Sequence, residues 1–355
     1  MKIALVAPPF ISVPPKRYGG TELFIAQLAE GLKARGVEAV VYANGESTVD
    51  VERRWLFPKE QWPIQGEIYD NLKDLNHSSW SMRDAADSCD LIHVNTVPAM
   101  MFSRFLRQPV VYTMHHPHID GLSNVFSYFP DVHYVTISDF QRHQEKMPRM
   151  ATIQHGINFT TYHVVEQKRD YLAFIGRIAP VKGPHIAIEV AKKAGMPLKI
   201  AGEVQPIFRE YFEREIKPHV DGKNVEFVGE LGMEGKNEFL GAARALLFPI
   251  EWEEPFGLVM IEAMACGTPV LAFGGGSVPE IVREGVSGAI CGSVDEMAQR
   301  AREVAIPPAT VRAYAEENFS VERMVREYHE LYERLIAESS GGATADDTTL
   351  GQAVA

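Results

Sequence analysis

Short runs rich in valine and isoleucine alternate with longer amphipathic stretches along nearly the whole chain, and the alternation starts afresh midway. Residues 3–7, 39–42, 91–94, 110–114 and 134–137 read as strands of a mostly parallel sheet, separated by helical segments such as 21–35, which Gly36 closes as a C-cap. The pattern resumes at 171–175 and continues through 198–201, 225–228 and 245–249 to 270–273. A chain of 355 residues has room for two domains of about 150 residues, each with its own core. Two α/β units over 1–160 and 161–320 are therefore expected, with the polar, turn-rich stretch 158–170 joining them.

Beyond Pro307 the period becomes helical. Val321, Met324, Val325, Tyr328, Leu331, Tyr332 and Leu335 fall on one stripe, which predicts a final amphipathic helix over 321–338. Residues 339–355 are small and polar, the composition of a disordered tail.

Charge and cysteine usage exclude several function classes. A net charge of −12 argues against nucleic acid as a partner, because binding a phosphate backbone needs a basic footprint. Residues 1–160 hold 15 Lys and Arg against 17 Asp and Glu, so nearly all of the excess lies in the second half. The near-neutral first half leaves room for at most peripheral membrane contact, through segments such as Arg104-Phe105-Leu106-Arg107. A face of solvated charge accounts for the same residues. Cys89, Cys266 and Cys291 are too few and too scattered for a disulfide framework or a zinc knuckle, which points to a reducing compartment and a cytoplasmic location. The apolar run at 1–8 stops at Pro8-Pro9 without a small-residue cleavage site, so it reads as a buried first strand and not a leader. No stretch approaches the roughly 18 apolar residues of a membrane-spanning helix.

The chemistry concentrates in the run from Glu251 to Val270, where Glu254 and Glu262 have seven residues between them. Pro255 and Gly257 close a turn, after which 258–265 reads as an apolar helix containing one acid. A helix starting near Gly257 would set free N–H groups and its positive dipole end beside Glu254, which makes an anion site. Glu262 follows Leu258 by one turn on the same face and would flank an anion held there. A phosphate with a hydroxyl-rich group on each side fits, one carboxylate for a transferred sugar and the other for a ribose. A buried Glu paired to an Arg in the core is the structural alternative.

The whole run resembles the nucleotide-binding motif of retaining glycosyltransferases of family 4, whose fold is the two-domain GT-B arrangement. That resemblance implies two Rossmann-like domains facing each other across a cleft, the C-terminal helix crossing back to the first domain. Within it, the donor site would include Gly257, Leu258 and Val259 at the helix start, with Glu262 beyond.

Other segments match in type and place. The loop Pro14-Pro15-Lys16-Arg17-Tyr18-Gly19-Gly20-Thr21-Glu22 opens a helix, and Gly19 and Gly20 allow close backbone approach to a phosphate. It resembles the family's Gly-Gly-x-Glu loop. Gly176-Arg177 followed by Lys182-Gly183 ends a predicted strand with two cations five residues apart, suited to the charge of a departing diphosphate and resembling the family's phosphate clamp. Lys182 is expected to face solvent before ligand binds. His115, in Thr113-Met114-His115-His116-Pro117-His118, matches the family's Thr-x-His position, which implies a ring near a sugar hydroxyl and a carbonyl facing the anomeric carbon. Three close histidines also suggest a metal site, but no acidic or cysteine ligand has matching spacing, so none is expected.

Ser138-Asp139 and Gln154-His155-Gly156-Ile157-Asn158 resemble further landmarks of the family. His155 departs from it, since Pro and Asn usually precede that glycine. Gly202-Glu203, Gly229-Glu230-Leu231 and Gly274-Gly275-Gly276 close strand ends, where open α/β sheets bind ligands. By resemblance the segment at Glu230 and Leu231 holds the base through backbone groups.

The expected function is metal-independent, retaining transfer of a hexose from a nucleotide diphosphate sugar, UDP-glucose or a similar UDP-sugar, to a hydroxyl acceptor, with no cofactor. The expected catalytic residues are His115, Arg177, Lys182 and Glu254. The alternatives are a sugar-nucleotide epimerase of the same fold and a non-catalytic sugar-nucleotide-binding protein.

Overall fold

A computed structural model describes residues 1–17, 19–64 and 68–341. Its strands fall into two sheets in which every pairing is parallel. The first contains β1 (Lys2–Val6), β2 (Glu38–Ala43), β3 (Glu52–Trp55), β4 (Leu91–Val94), β5 (Val110–Thr113), β6 (His133–Thr136) and β7 (Met150–Thr152), in the order β3-β2-β1-β4-β5-β6-β7. The second contains β8 (Leu172–Ile175), β9 (Leu198–Ala201), β10 (Val225–Gly229), β11 (Ala245–Phe248), β12 (Val270–Phe273) and β13 (Gly288–Cys291), in the order β10-β9-β8-β11-β12-β13.

Both orders step outward from the first strand, then reverse and build on its other side. The reversal leaves a crevice at the carboxyl ends of β1 and β4 in one sheet and of β8 and β11 in the other, and such switch points are where doubly wound sheets bind ligands. Successive side chains of each strand enter opposite cores. In β1, Ile3 and Leu5 pack with Phe24, Leu28 and Leu32 of the helix Gly20–Ala34, whereas Ala4 and Val6 pack with Met82, Ile92 and Tyr112 on the opposite face.

The last helix, Val321–Gly341, lies on the first sheet's side of the molecule. Val325, Tyr328, Tyr332 and Leu335 join the core beneath the helix Gly20–Ala34. Hydrogen bonds fix its register there: His93 Nδ1 lies 2.6 Å from the Tyr332 hydroxyl, and the Thr113 hydroxyl lies 2.9 Å from that of Tyr328. The chain thus returns to its first half as expected.

Three strands escaped the sequence reading, and each sits at a sheet edge. β3 is Glu-Arg-Arg-Trp and largely exposed, and β7 has three half-buried residues, so neither shows the apolar run that marks a central strand; β13 is a short Gly-Ala-Ile-Cys run that opens at a glycine. The final helix runs to Gly341, so the tail expected from Ser339 is helical over its first residues. Residues 342–355 lie outside the described residues. The joining stretch is also less polar in place than in sequence, since Phe159 and Tyr162 are buried. Among the described residues no helix is long and apolar enough to cross a membrane.

Candidate functional site

A cleft of about 1020 Å³ lies where the two switch points meet. Gly19, Gly20, His115, Arg177, Lys182, Glu254, Gly257, Leu258, Val259 and Glu262 all line it. The turn before the helix Leu258–Ala265 is made possible by Gly257, whose φ of +84° is left-handed and disfavoured for residues with a Cβ. Across the cleft the helix Gly20–Ala34 starts so close that a Cβ on Gly20 would sit 3.2 Å from the Leu258 side chain. Two helix amino termini therefore approach each other here, each with free N–H groups.

The two acids share one design. Glu254 Oε2 accepts from Lys182 Nζ at 2.5 Å and from Trp252 Nε1 at 2.8 Å, with the Lys182 ammonium 4.4 Å from the Trp252 ring centre. Glu262 Oε1 accepts from Lys236 Nζ at 2.8 Å and from the Tyr162 hydroxyl at 3.0 Å. In each carboxylate one oxygen is held by a lysine and an aromatic donor, while the other has no hydrogen-bond partner among the described residues. Both acids are buried, so this arrangement fixes their orientation without using their full accepting capacity.

Lys182 corrects one expectation. Its side chain is 16% exposed and ion-paired to Glu254, not solvent-facing. Burial pulls its ammonium below the ordinary lysine value, and Glu254 partly restores it. The reason lies in Gly183, which turns the chain at φ +71° against the end of β11 and delivers Lys182 to Glu254. A Cβ on Gly183 would collide with the Pro249 carbonyl. Gly183→Ala is accordingly expected to cost about 2–4 kcal/mol in urea unfolding; an unchanged midpoint would show that this turn yields freely.

Arg177 forms no ion pair among the described residues, and its Nε is buried without a partner. It enters the cleft as an uncommitted cation. His115 Nε2 donates to Asn95 Oδ1 at 2.9 Å. Burial, and then the neighbouring His155, hold its pKa well below the ordinary value, so the ring is neutral. His116 and His118 turn elsewhere, to Tyr112 at 3.1 Å and to Glu145 at 2.9 Å. Among the described residues no three His, Cys, Asp or Glu side chains group as metal ligands.

Glu230 and Leu231 do not line the cleft with the other candidates. The Glu230 carboxylate pairs with Arg17 at 3.2 Å, linking the first-half loop to the second half, and Leu231 packs on the second-half core. Tyr18 of that loop lies outside the described residues. Conversely, Lys236, Tyr162 and Trp252 take part unforeseen. Trp252 sits inside the motif itself, but Lys236 and Tyr162 reach Glu262 from distant segments, and no local pattern marks them.

Glu22 is a further acid in the cleft wall. It is 6% exposed and has no cation partner among the described residues, and burial lifts its pKa to about 7. An unfolded Glu ionises near 4.5, so the native state's preference for the protonated acid is fully present below that pH and is lost as pH rises to about 7. The loss amounts to about 3 kcal/mol. Glu22→Gln should therefore melt close to the wild type at pH 4 and clearly above it at pH 8. Parallel melting curves at both pH values would refute the burden assigned to this acid.

Similarity to known proteins agrees with this geometry. The family described as Glycosyltransferase Family 4 matches residues 18–147, and that described as Glycosyl transferases group 1 matches residues 161–317. A D-inositol 3-phosphate glycosyltransferase of Mycolicibacterium paratuberculosis is 34% identical over 140 residues, 36% of this chain. The matched stretch spans only 30% of that protein's length. Among solved structures, a sucrose-phosphate synthase of Thermosynechococcus elongatus superposes with a TM-score of 0.79 at 20% identity, covering 95% of this chain and 99% of the other. Anabaena Alr3699/HepE, in complex with UDP and glucose, gives 0.75 at 19%, covering 94% of this chain and 100% of the other. With the GT-B arrangement of two parallel sheets about one cleft and family matches over both halves, the chain belongs to the group 1 glycosyltransferases of family 4.

Proposed function

We propose that this protein transfers a hexose from a UDP-sugar to a hydroxyl acceptor with retention of anomeric configuration and without a metal ion. The observation that carries the reading is the convergence, in one cleft, of a free Arg177, two lysine-held carboxylates at Glu254 and Glu262, and the helix start at Gly257. A nucleotide diphosphate sugar has matching parts. Its diphosphate suits Arg177, Lys182 and the N–H groups at Gly257 and Leu258; its ribose suits Glu262, and its sugar suits Glu254 and His115. UDP is the nucleotide bound in a structurally similar protein.

The reaction breaks the bond between the anomeric carbon and the β-phosphate oxygen, and forms one from that carbon to the acceptor oxygen on the same face. The acceptor proton passes to the departing phosphate. Charge grows on the leaving diphosphate, so preorganised cations and N–H groups supply most of the catalysis. In this reading 1–160 binds the acceptor and 161–320 the donor, with 321–338 tying them together. The three cysteines are free and buried, in keeping with a cytoplasmic setting.

Incubation with UDP-glucose, a panel of hydroxyl acceptors and excess chelator tests it. An α-configured glucoside and free UDP are expected. Restoration of activity only by a divalent ion would remove the metal-free claim, and an epimerised UDP-sugar formed without acceptor would favour the epimerase.

A further inference from the structure

His155 stands in the cleft wall beside His115 and is only 4% exposed. The two rings stack at 5.4 Å between centroids and 7° between planes. Phe24 of the helix Gly20–Ala34 lies 5.0 Å from the His155 ring, and Phe256, before the helix Leu258–Ala265, meets it edge-on at 5.1 Å. The backbone there is pinned. Ile157 N donates to Phe319 O at 2.9 Å, Val321 N to Ile157 O at 3.0 Å, and Arg323 donates to the carbonyls of Gln154 and His155. The ring is thus wedged between the two halves with little freedom to move.

Its polar atoms are unmet. Nδ1 is buried without a hydrogen-bond partner, and no partner for Nε2 occurs among the described residues. An unmet polar atom in such a place is costly, and phenylalanine would fill the same space without that cost. Burial holds the pKa of the ring down to about 3, with Arg323 the charged group acting on it, so the imidazole is neutral. A neutral imidazole offers one donor and one acceptor, which suits a hydroxyl better than a phosphate.

We propose that His155 is a second substrate-contacting histidine, hydrogen-bonded through a free ring nitrogen to a hydroxyl of the sugar held beside His115. The identity of that sugar rests on the glycosyl-transfer reading above.

His155→Phe and His155→Asn test it, read by melting temperature, by calorimetric UDP binding and by consumption of UDP-glucose. His155→Phe should melt no lower than the wild type and bind UDP within about 2-fold, yet lose about 10-fold or more in kcat/KM. His155→Asn should recover part of that loss. A His155→Phe enzyme with wild-type kcat/KM would overturn the proposal and leave His155 as packing. If the wild type itself consumes no UDP-glucose, the transfer reading fails separately, and imidazole NMR decides the contact. A shift of the His155 ring signals on adding glucose in the presence of UDP, absent with UDP alone, supports it; no shift overturns it.

Discussion

Lys182→Ala is expected to lower turnover of UDP-glucose by about 10²–10³-fold, the usual scale for losing one preorganised group that meets charge developing in the transition state. The change also strands Glu254, whose carboxylate would keep, among the described residues, only the Trp252 indole as donor within a buried site. Removing one member of a buried pair commonly destabilises by about 3–5 kcal/mol, so the melting temperature should fall as well. The double variant Lys182→Ala/Glu254→Gln separates the two effects, because it removes the stranded charge. Stability should largely return in the double variant while turnover stays low. A single variant with turnover within a few-fold of wild type would mean that Lys182 serves only to neutralise Glu254.

The two acids should fail differently. Glu262→Gln is expected to weaken binding of UDP by about 10-fold, since a charged acceptor of ribose hydroxyls becomes an amide. Glu254→Gln should leave UDP affinity nearly unchanged and depress transfer, because its hydroxyl contacts arise only when the sugar is present. Calorimetric titration of both variants with UDP and with UDP-glucose makes the comparison. Equal losses of UDP affinity, or none in either variant, would return Glu262 to a core acid held by Lys236 and Tyr162. Lysine, not the arginine of the structural alternative, is the partner in both cases, so each acid is paired and still lines the cleft.

Much of this was legible locally. Apolar runs marked the central strands because those strands are buried on both faces, and Gly36 marked a helix end because the chain there takes φ +77°. The turn at Gly257 and the helix after it follow from Pro255, Gly257 and an apolar octet, all adjacent in sequence. Edge strands such as β3 left no such trace, because a strand half in water is under no pressure to be apolar.

Two α/β halves and a glycine turn into an apolar helix, the kind of helix start that suits an anion, follow from local sequence, because each depends on neighbours within a few positions. Long-range packing alone buries Lys182 against Glu254, brings Lys236 and Tyr162 from separate segments to Glu262, and stacks His155 on His115 between the halves. The two lysine pairings depend on how loops and helices of the second sheet fold over one another, and the histidine stack on where the two halves meet. Such contacts join residues from about 25 to 100 positions apart, beyond the reach of any local periodicity.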